Sequence, residues 1–216
     1  KLFEKWQKEQ NLEFFVKDGL MRKIGKTDSV LEEEWINSPR RILFLLKDQN
    51  QKNGKWSEDT RDWITANEDT ANIKQRFTHN IANLFYGLSH ITTDECLQVW
   101  YGELNEEKVK THFNTAPFAF VEGKKEPGTT YINNKILRTC MLRDKDFISK
   151  ELEILNPNII VCCGSEQYNF IINLFGKETL KGYGYDGKYY KNLQYSAEKN
   201  VVLLLDKNHP KLKLGK

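Results

Sequence analysis

The residues of this chain equipped for chemistry gather where short apolar runs stop. Asp48 follows Arg41-Ile-Leu-Phe-Leu-Leu-Lys47, Glu122 closes Ala116-Pro-Phe-Ala-Phe-Val, Gly164-Ser165 follows Asn158-Ile-Ile-Val-Cys-Cys, and His209 stands just past Val201-Val-Leu-Leu-Leu205. None of these runs has a helical period, so each reads as a strand buried on both faces. Ligands of open α/β sheets sit outside the carboxyl ends of the strands, which makes a carboxylate there a site candidate on topology alone. Two carboxylates, an imidazole and a glycine-serine turn with free helix amides suited to an anion would then share one rim.

The stretches between the runs must position that rim, and most have helical spacing. Lys1 to Lys17 alternates Leu2, Phe3, Trp6, Leu12, Phe14, Phe15 and Val16 with charges, which predicts an amphipathic helix ending near Gly19. Further helices are expected over Val30 to Asn37, Ile73 to Leu88, Glu106 to Phe113, Asn134 to Leu155 with a break near Arg143-Asp144, and Glu166 to Phe175. Ser38-Pro39 and Asn156-Pro157 are stops, because a residue before proline resists helical dihedrals. Lys181 to Tyr195, rich in glycine and tyrosine, reads as an irregular hairpin. Strands separated by helices predict an α/β fold: a three-layer α/β/α sandwich around a four-stranded parallel sheet, in one domain spanning 1–216, with 1–38 a helical segment packed on it.

Composition narrows the function. The chain has 216 residues and a formal charge of +3, so a polyanionic partner is permitted but only a local cluster of cations would argue for one. Cys96, Cys140, Cys162 and Cys163 form no C-x-x-C pair and read as buried thiols, with no metal expected. No apolar run approaches the ~18 residues of a membrane span and the charged amino end is unlike a signal peptide, so a cytoplasmic protein without a membrane partner is expected. The histidines on predicted helices, His79, His90 and His112, read as scaffold.

Several residues near the rim carry two readings. Trp56, beside the polar loop 49–59, suits base stacking or core anchoring. Lys124 and Lys125, in the turn Gly123-Lys-Lys-Glu-Pro-Gly128, suit a phosphate or a solvated turn. Lys207, Lys211 and Lys213 suit phosphate contacts, and Leu212 or Leu214 a wedge into the space a flipped base leaves; a charged, frayed tail is the alternative for that stretch.

The same residues carry a resemblance. Strand-Lys47-Asp48-Gln49-Asn50-Gln51 aligns without gaps to the strand-G-Q-D-P-Y-H water-activating loop of the uracil-DNA glycosylase superfamily, and strand-Asn208-His209-Pro210 resembles its H-P-S-P-L-S loop. Leu152 to Gly164, helix, proline and strand closing on glycine, is similar to the segment between them. Asp48, His209 and Pro210 match, and most of their neighbours do not.

The resemblance implies a uracil-DNA glycosylase-like fold and hydrolysis of the N-glycosidic bond of a base flipped out of DNA. Asp48, ionised, would stabilise the cationic sugar and orient water, while His209 would donate to the base oxygen that gathers charge. Neither role needs a metal or a cofactor. Gln49 and Asn208 would line the base pocket beside them, with Ser165, Lys124, Lys125, Lys211 and Lys213 on the DNA backbone. Asn50 stands where the uracil enzymes have a tyrosine walling off C5, so a larger substituent is admitted. Glu122 falls nearest the base-reading asparagine. If it fills that role as an ionised group it would accept from a cytosine amino group and repel a uracil carbonyl; a structural salt bridge is its other reading.

These departures point to members similar to bacterial antiphage glycosylases that excise glucosylated 5-hydroxymethylcytosine, acting as a monomer. Three other readings stay open: a uracil-removing repair enzyme, a module that binds modified nucleic acid without cutting it, and an enzyme of free nucleosides.

Overall fold

A computed structural model describes residues 1–49, 57–90, 104–128 and 132–176, and the backbone of three further strands, Lys181–Gly182, Leu193–Ser196 and Val201–Leu205. The fold is α/β with an open, mixed sheet. Its strands are β1 (Gly19–Leu20), β2 (Ile42–Leu46), β3 (Ala119–Glu122), β4 (Ile159–Cys162), β5 (Lys181–Gly182), β6 (Leu193–Ser196) and β7 (Val201–Leu205), in spatial order β1-β3-β2-β4-β7-β6-β5.

The pairs β3–β2, β2–β4 and β4–β7 run parallel. At the two edges, β1 joins β3, β6 joins β7 and β5 joins β6, all antiparallel. The expected four-stranded parallel sheet is thus extended at both edges by antiparallel strands, which makes a mixed sheet of seven strands among the described residues. β1 escapes periodicity because it has two residues, too few for an alternation to register, while β5 and most of β6 fall in the stretch expected as a hairpin.

All of β2 is buried, and its side chains alternate between two clusters. Leu43 and Leu45, with Val121, Ile160 and Cys162 from the neighbouring strands, pack against Trp6, Trp35, Leu137, Ile148, Leu152 and Phe170. Ile42, Phe44 and Leu46, with Phe118, Phe120 and Val161, pack against Ile81, Phe85, Val109 and Phe113. Apolar residues on every position of β2 are thus required by cover on both faces, which is why it reads as a continuous run.

The helices are α1 (Leu2–Glu9), α2 (Asp28–Asn37), α3 (Glu68–Ala71), α4 (Arg76–His90), α5 (Glu106–Thr115), α6 (Asn134–Arg143), α7 (Lys145–Leu155) and α8 (Ser165–Phe175). Their ends follow local chemistry. Thr27 caps α2 by accepting from Val30 N–H, and Ser38 is extended ahead of Pro39. Asn156 ends α7 in the left-handed region at φ 45°. The break between α6 and α7 falls at Asp144. The amino-terminal helix is shorter than its amphipathic pattern: it stops at Glu9, Asn11 takes a left-handed φ of 49°, and the chain leaves the helix for a bridge between Lys17 and Asp59. No helix among the described residues is long and apolar enough to cross a membrane.

Register decides what lies at the rim. Leu46 is level with Glu122, Leu45 with Cys162, and Cys162 with Leu205, so β2, β3, β4 and β7 end together.

Candidate active site

Asp48 leaves the sheet two residues past β2 and is held by a turn that comes from β3. Gly123 N–H donates to Leu46 O at 3.1 Å, Lys124 N–H to Lys47 O at 2.9 Å, and Gly128 N–H to Gln49 O at 2.8 Å. The carbonyls on both sides of Asp48 are thereby tied to one turn. Its carboxylate rests on that turn's last glycine: a Cβ on Gly128 would lie 1.6 Å from Asp48 Oδ2. Oδ2 is buried without a hydrogen-bond partner. Desolvation raises the Asp48 carboxyl to about 6, against the opposing pull of the Lys124 and Lys47 charges.

Glu122, the last residue of β3, is 3 % exposed. Its N–H donates to Asp18 Oδ2 at 2.5 Å, and its own Oε2 is buried without a partner. Burial, then the negative charge of Asp18 and, more weakly, that of Asp48, push its carboxyl up to about 8 despite the Lys125 charge. The expectation of an ionised Glu122 is therefore corrected: near neutral pH it is a protonated acid, able to donate one hydrogen bond and accept others. Asp48 and Glu122 feel one another's charge, and their environments hold the two acids at different proton affinities.

Lys125 is not a backbone-phosphate contact. It is fully buried, donates to both oxygens of Asp18 and, at 2.9 Å, to Glu151 Oε2, and lies 4.8 Å over the Trp6 ring. Burial works against its charge, but Asp18 and Glu151 outweigh this and raise its pKa. Among the described residues no ion pair joins it to Glu122. Lys124 is half-buried; its ammonium donates to the carbonyls of Glu126, at 2.7 Å, and Pro127, at 3.5 Å, while its charge reaches Asp48.

Gln49 spends its side-chain oxygen on Ser57 N–H at 3.1 Å, so its amide is committed to another part of the chain. Ser165 is exposed as the first residue of α8, following Gly164. Beneath that turn Gln167 is fully buried with neither amide atom partnered, and Glu166 holds Arg138 through two hydrogen bonds of 2.7 and 3.0 Å. Asn50, Trp56, Asn208, His209, Lys211 and Lys213 lie outside the described residues. The strand that leads to His209, β7, ends level with β4 at the shared rim.

Sequence reasoning missed Asp18, Gly128, Glu151 and Gln167. None sits in a motif: Asp18, Glu151 and Gly128 acquire meaning only from partners distant in the chain, and Gln167 only from its burial. A separate cavity of about 420 Å³, lined by Tyr86, His90, Glu107, Lys108 and His112 among others, lies between α4 and α5. Arg40, ahead of β2, bonds Leu88 O near the end of α4, which places this cavity at the opposite end of the strands from Asp48. Burial pushes His112 down to about 4, so its imidazole is neutral there, in keeping with a packed scaffold residue. Among the described residues no three His, Cys, Asp or Glu side chains gather as a metal site, and Cys140, Cys162 and Cys163 are buried free thiols.

No protein-family model matches the chain, and no curated protein matches it.

Proposed function

We propose that this protein is a DNA glycosylase of the uracil-DNA glycosylase kind, built as a three-layer α/β/α sandwich and acting on a flipped pyrimidine. The observation that carries this reading is Asp48: a carboxylate at the carboxyl end of a central strand, with one oxygen buried and unpartnered, above the ordinary proton affinity yet ionised at neutral pH. Such a group is poorly solvated until positive charge develops beside it, which is what the sugar supplies as its bond to the base breaks. His209 donates to the departing base. Ser165 with the first amides of α8, Lys124, Lys211 and Lys213 hold the backbone on either side.

Asn50 in place of a bulky wall supports a 5-substituted cytosine as substrate, and glucosylated 5-hydroxymethylcytosine of phage DNA as the antiviral target. One observation favours uracil as a second reading. A protonated Glu122 presents a donor and an acceptor side by side, and that edge pairs with the carbonyl and N3–H of uracil as well as with the amino group and N3 of cytosine.

The test is single-turnover incubation with duplex and single-stranded DNA carrying uracil, 5-hydroxymethylcytosine or its glucosylated form, followed by alkaline cleavage at abasic sites. Strand cleavage is expected with at least one of them, and Asp48→Asn should reduce it by roughly 10³-fold or more without loss of fold. An intact strand from all three substrates would overturn the reading.

A further inference from the structure

Gly128 does not have the positive φ of Gly19, Gly25 and Gly176, so its backbone would accept any side chain. Space is what excludes one. The nearest atoms to a Cβ there belong to Asp48 alone: Oδ2 at 1.6 Å, Cγ at 2.7 Å and Oδ1 at 3.4 Å. The glycine is therefore fitted to a carboxylate rather than to a turn.

We propose that Gly128 is the positioning residue for Asp48: its bare Cα is the surface on which the carboxylate rests, and the turn 123–128 fixes the acid in its working orientation with one oxygen sealed from water. Three hydrogen bonds from this turn to the carbonyls of Leu46, Lys47 and Gln49 bracket Asp48, leaving the exit of β2 little freedom to rotate. Val16 N–H donates to Lys125 O at 2.8 Å, pinning the turn from its outer side as well. Lys124, drawn onto the carbonyls of Glu126 and Pro127, stiffens the turn and sets a positive charge near the acid. The charged and titratable groups that act on Asp48 are thus Lys47 from the end of β2, Lys124 from the turn and Glu122 from the end of β3. With water kept off Oδ2, the acid is held in reserve for a cation that arrives with the substrate.

The catalytic consequence rests on the glycosylase reading, whereas the contact itself does not. Three measurements separate them. In Gly128→Ala the methyl group must displace the carboxylate toward solvent; the Asp48 side-chain carbon, followed by carbon NMR and assigned by its loss in Asp48→Asn, should then titrate nearer the ordinary carboxylate range than the wild-type value. Base release should fall about 10²-fold in kcat with KM changed less than about threefold, as expected for a misplaced acid on an intact binding surface. A stability cycle guards against poor folding: the loss caused by Gly128→Ala should vanish when Asp48 is already alanine, because the clash has gone. An unchanged Asp48 titration in Gly128→Ala, or an equal stability loss in both backgrounds, overturns the proposal. If the wild type releases no base from any DNA, the glycosylase reading fails while the titration and the cycle still decide the role of Gly128.

Discussion

Asp48 and Glu122 illustrate how two residues of one chemical type are given different proton affinities by their surroundings. Asp48 loses water on one oxygen but has Lys124 and Lys47 nearby, and titrates at about 6. Glu122 loses nearly all its water and faces Asp18, and titrates at about 8. Between those values the first is ionised and the second protonated. On the proposed glycosylase reading, the rate of base release should accordingly rise as pH passes about 6 and fall above about 8, the two limbs belonging to the interacting pair. In Glu122→Gln, which keeps a donor and an acceptor at all pH values, the alkaline limb should disappear while the acid limb stays. Single-turnover rates from pH 5 to 9 measure this, and a rate that keeps climbing to pH 9 in the wild type would remove Glu122 from the reaction.

At the level of elements, the site depends on a buried ion cluster rather than on the sheet alone. Asp18 ahead of β1, Lys125 in the turn after β3 and Glu151 on α7 meet in a buried cluster against Trp6 of α1. Asp18 also accepts from Glu122 N–H, so the cluster connects the amino-terminal segment to the strand end that carries the second acid. Glu151 is pushed well above its ordinary value by burial and by Asp18, and its Oε2 accepts from Lys125. Truncating one side of such a pair strands the other. Lys125→Met should therefore cost about 3–5 kcal/mol in urea unfolding, whereas joint replacement of Asp18, Lys125 and Glu151 by Asn, Met and Leu should recover much of that loss. Equal stability of Lys125→Met and wild type would show that the cluster does not hold these elements together.

For the whole molecule, raised carboxyl groups make stability depend on pH in a particular direction. Glu122 shifts from 4.5 to about 8 and Asp48 from 3.8 to about 6, so across those windows the folded chain binds more protons than the unfolded one. Their contribution is fully present below the unfolded values and is lost as pH rises through the folded values. His112, lowered from 6.5 to about 4, acts in the opposite sense between those values. Above pH 6.5 Glu151, raised well above its ordinary value by burial, acts with these acids, while Lys23, fully buried and lowered well below its ordinary value, acts against them; each group that is protonated in one state alone contributes a slope of about 1.4 kcal/mol per pH unit. Glu122 is isolated by difference: the melting temperature of Glu122→Gln relative to wild type should rise from pH 6.5 to 8.5, because only the wild type loses the contribution of the protonated acid. A difference between the two that stays constant over this range would contradict the burial of a protonated Glu122.

The chain's residues alone determine where its central strands run and where they stop, because a strand covered on both faces must be apolar at every position and a site at its end must be polar. Asp48, Glu122 and the Gly164-Ser165 turn are visible for that reason, as are the helix stops before Pro39 and Pro157. Only the tertiary structure decides which charged residues remain in water. Lys124 and Lys125 are neighbours of one type, yet one half-faces solvent at the rim and the other is enclosed by Asp18, Glu151 and Trp6. Gly128 likewise reads as an ordinary turn glycine until Asp48 is set against it. Burial and proton affinity depend on groups brought together from separate parts of the chain, and no local pattern contains that information.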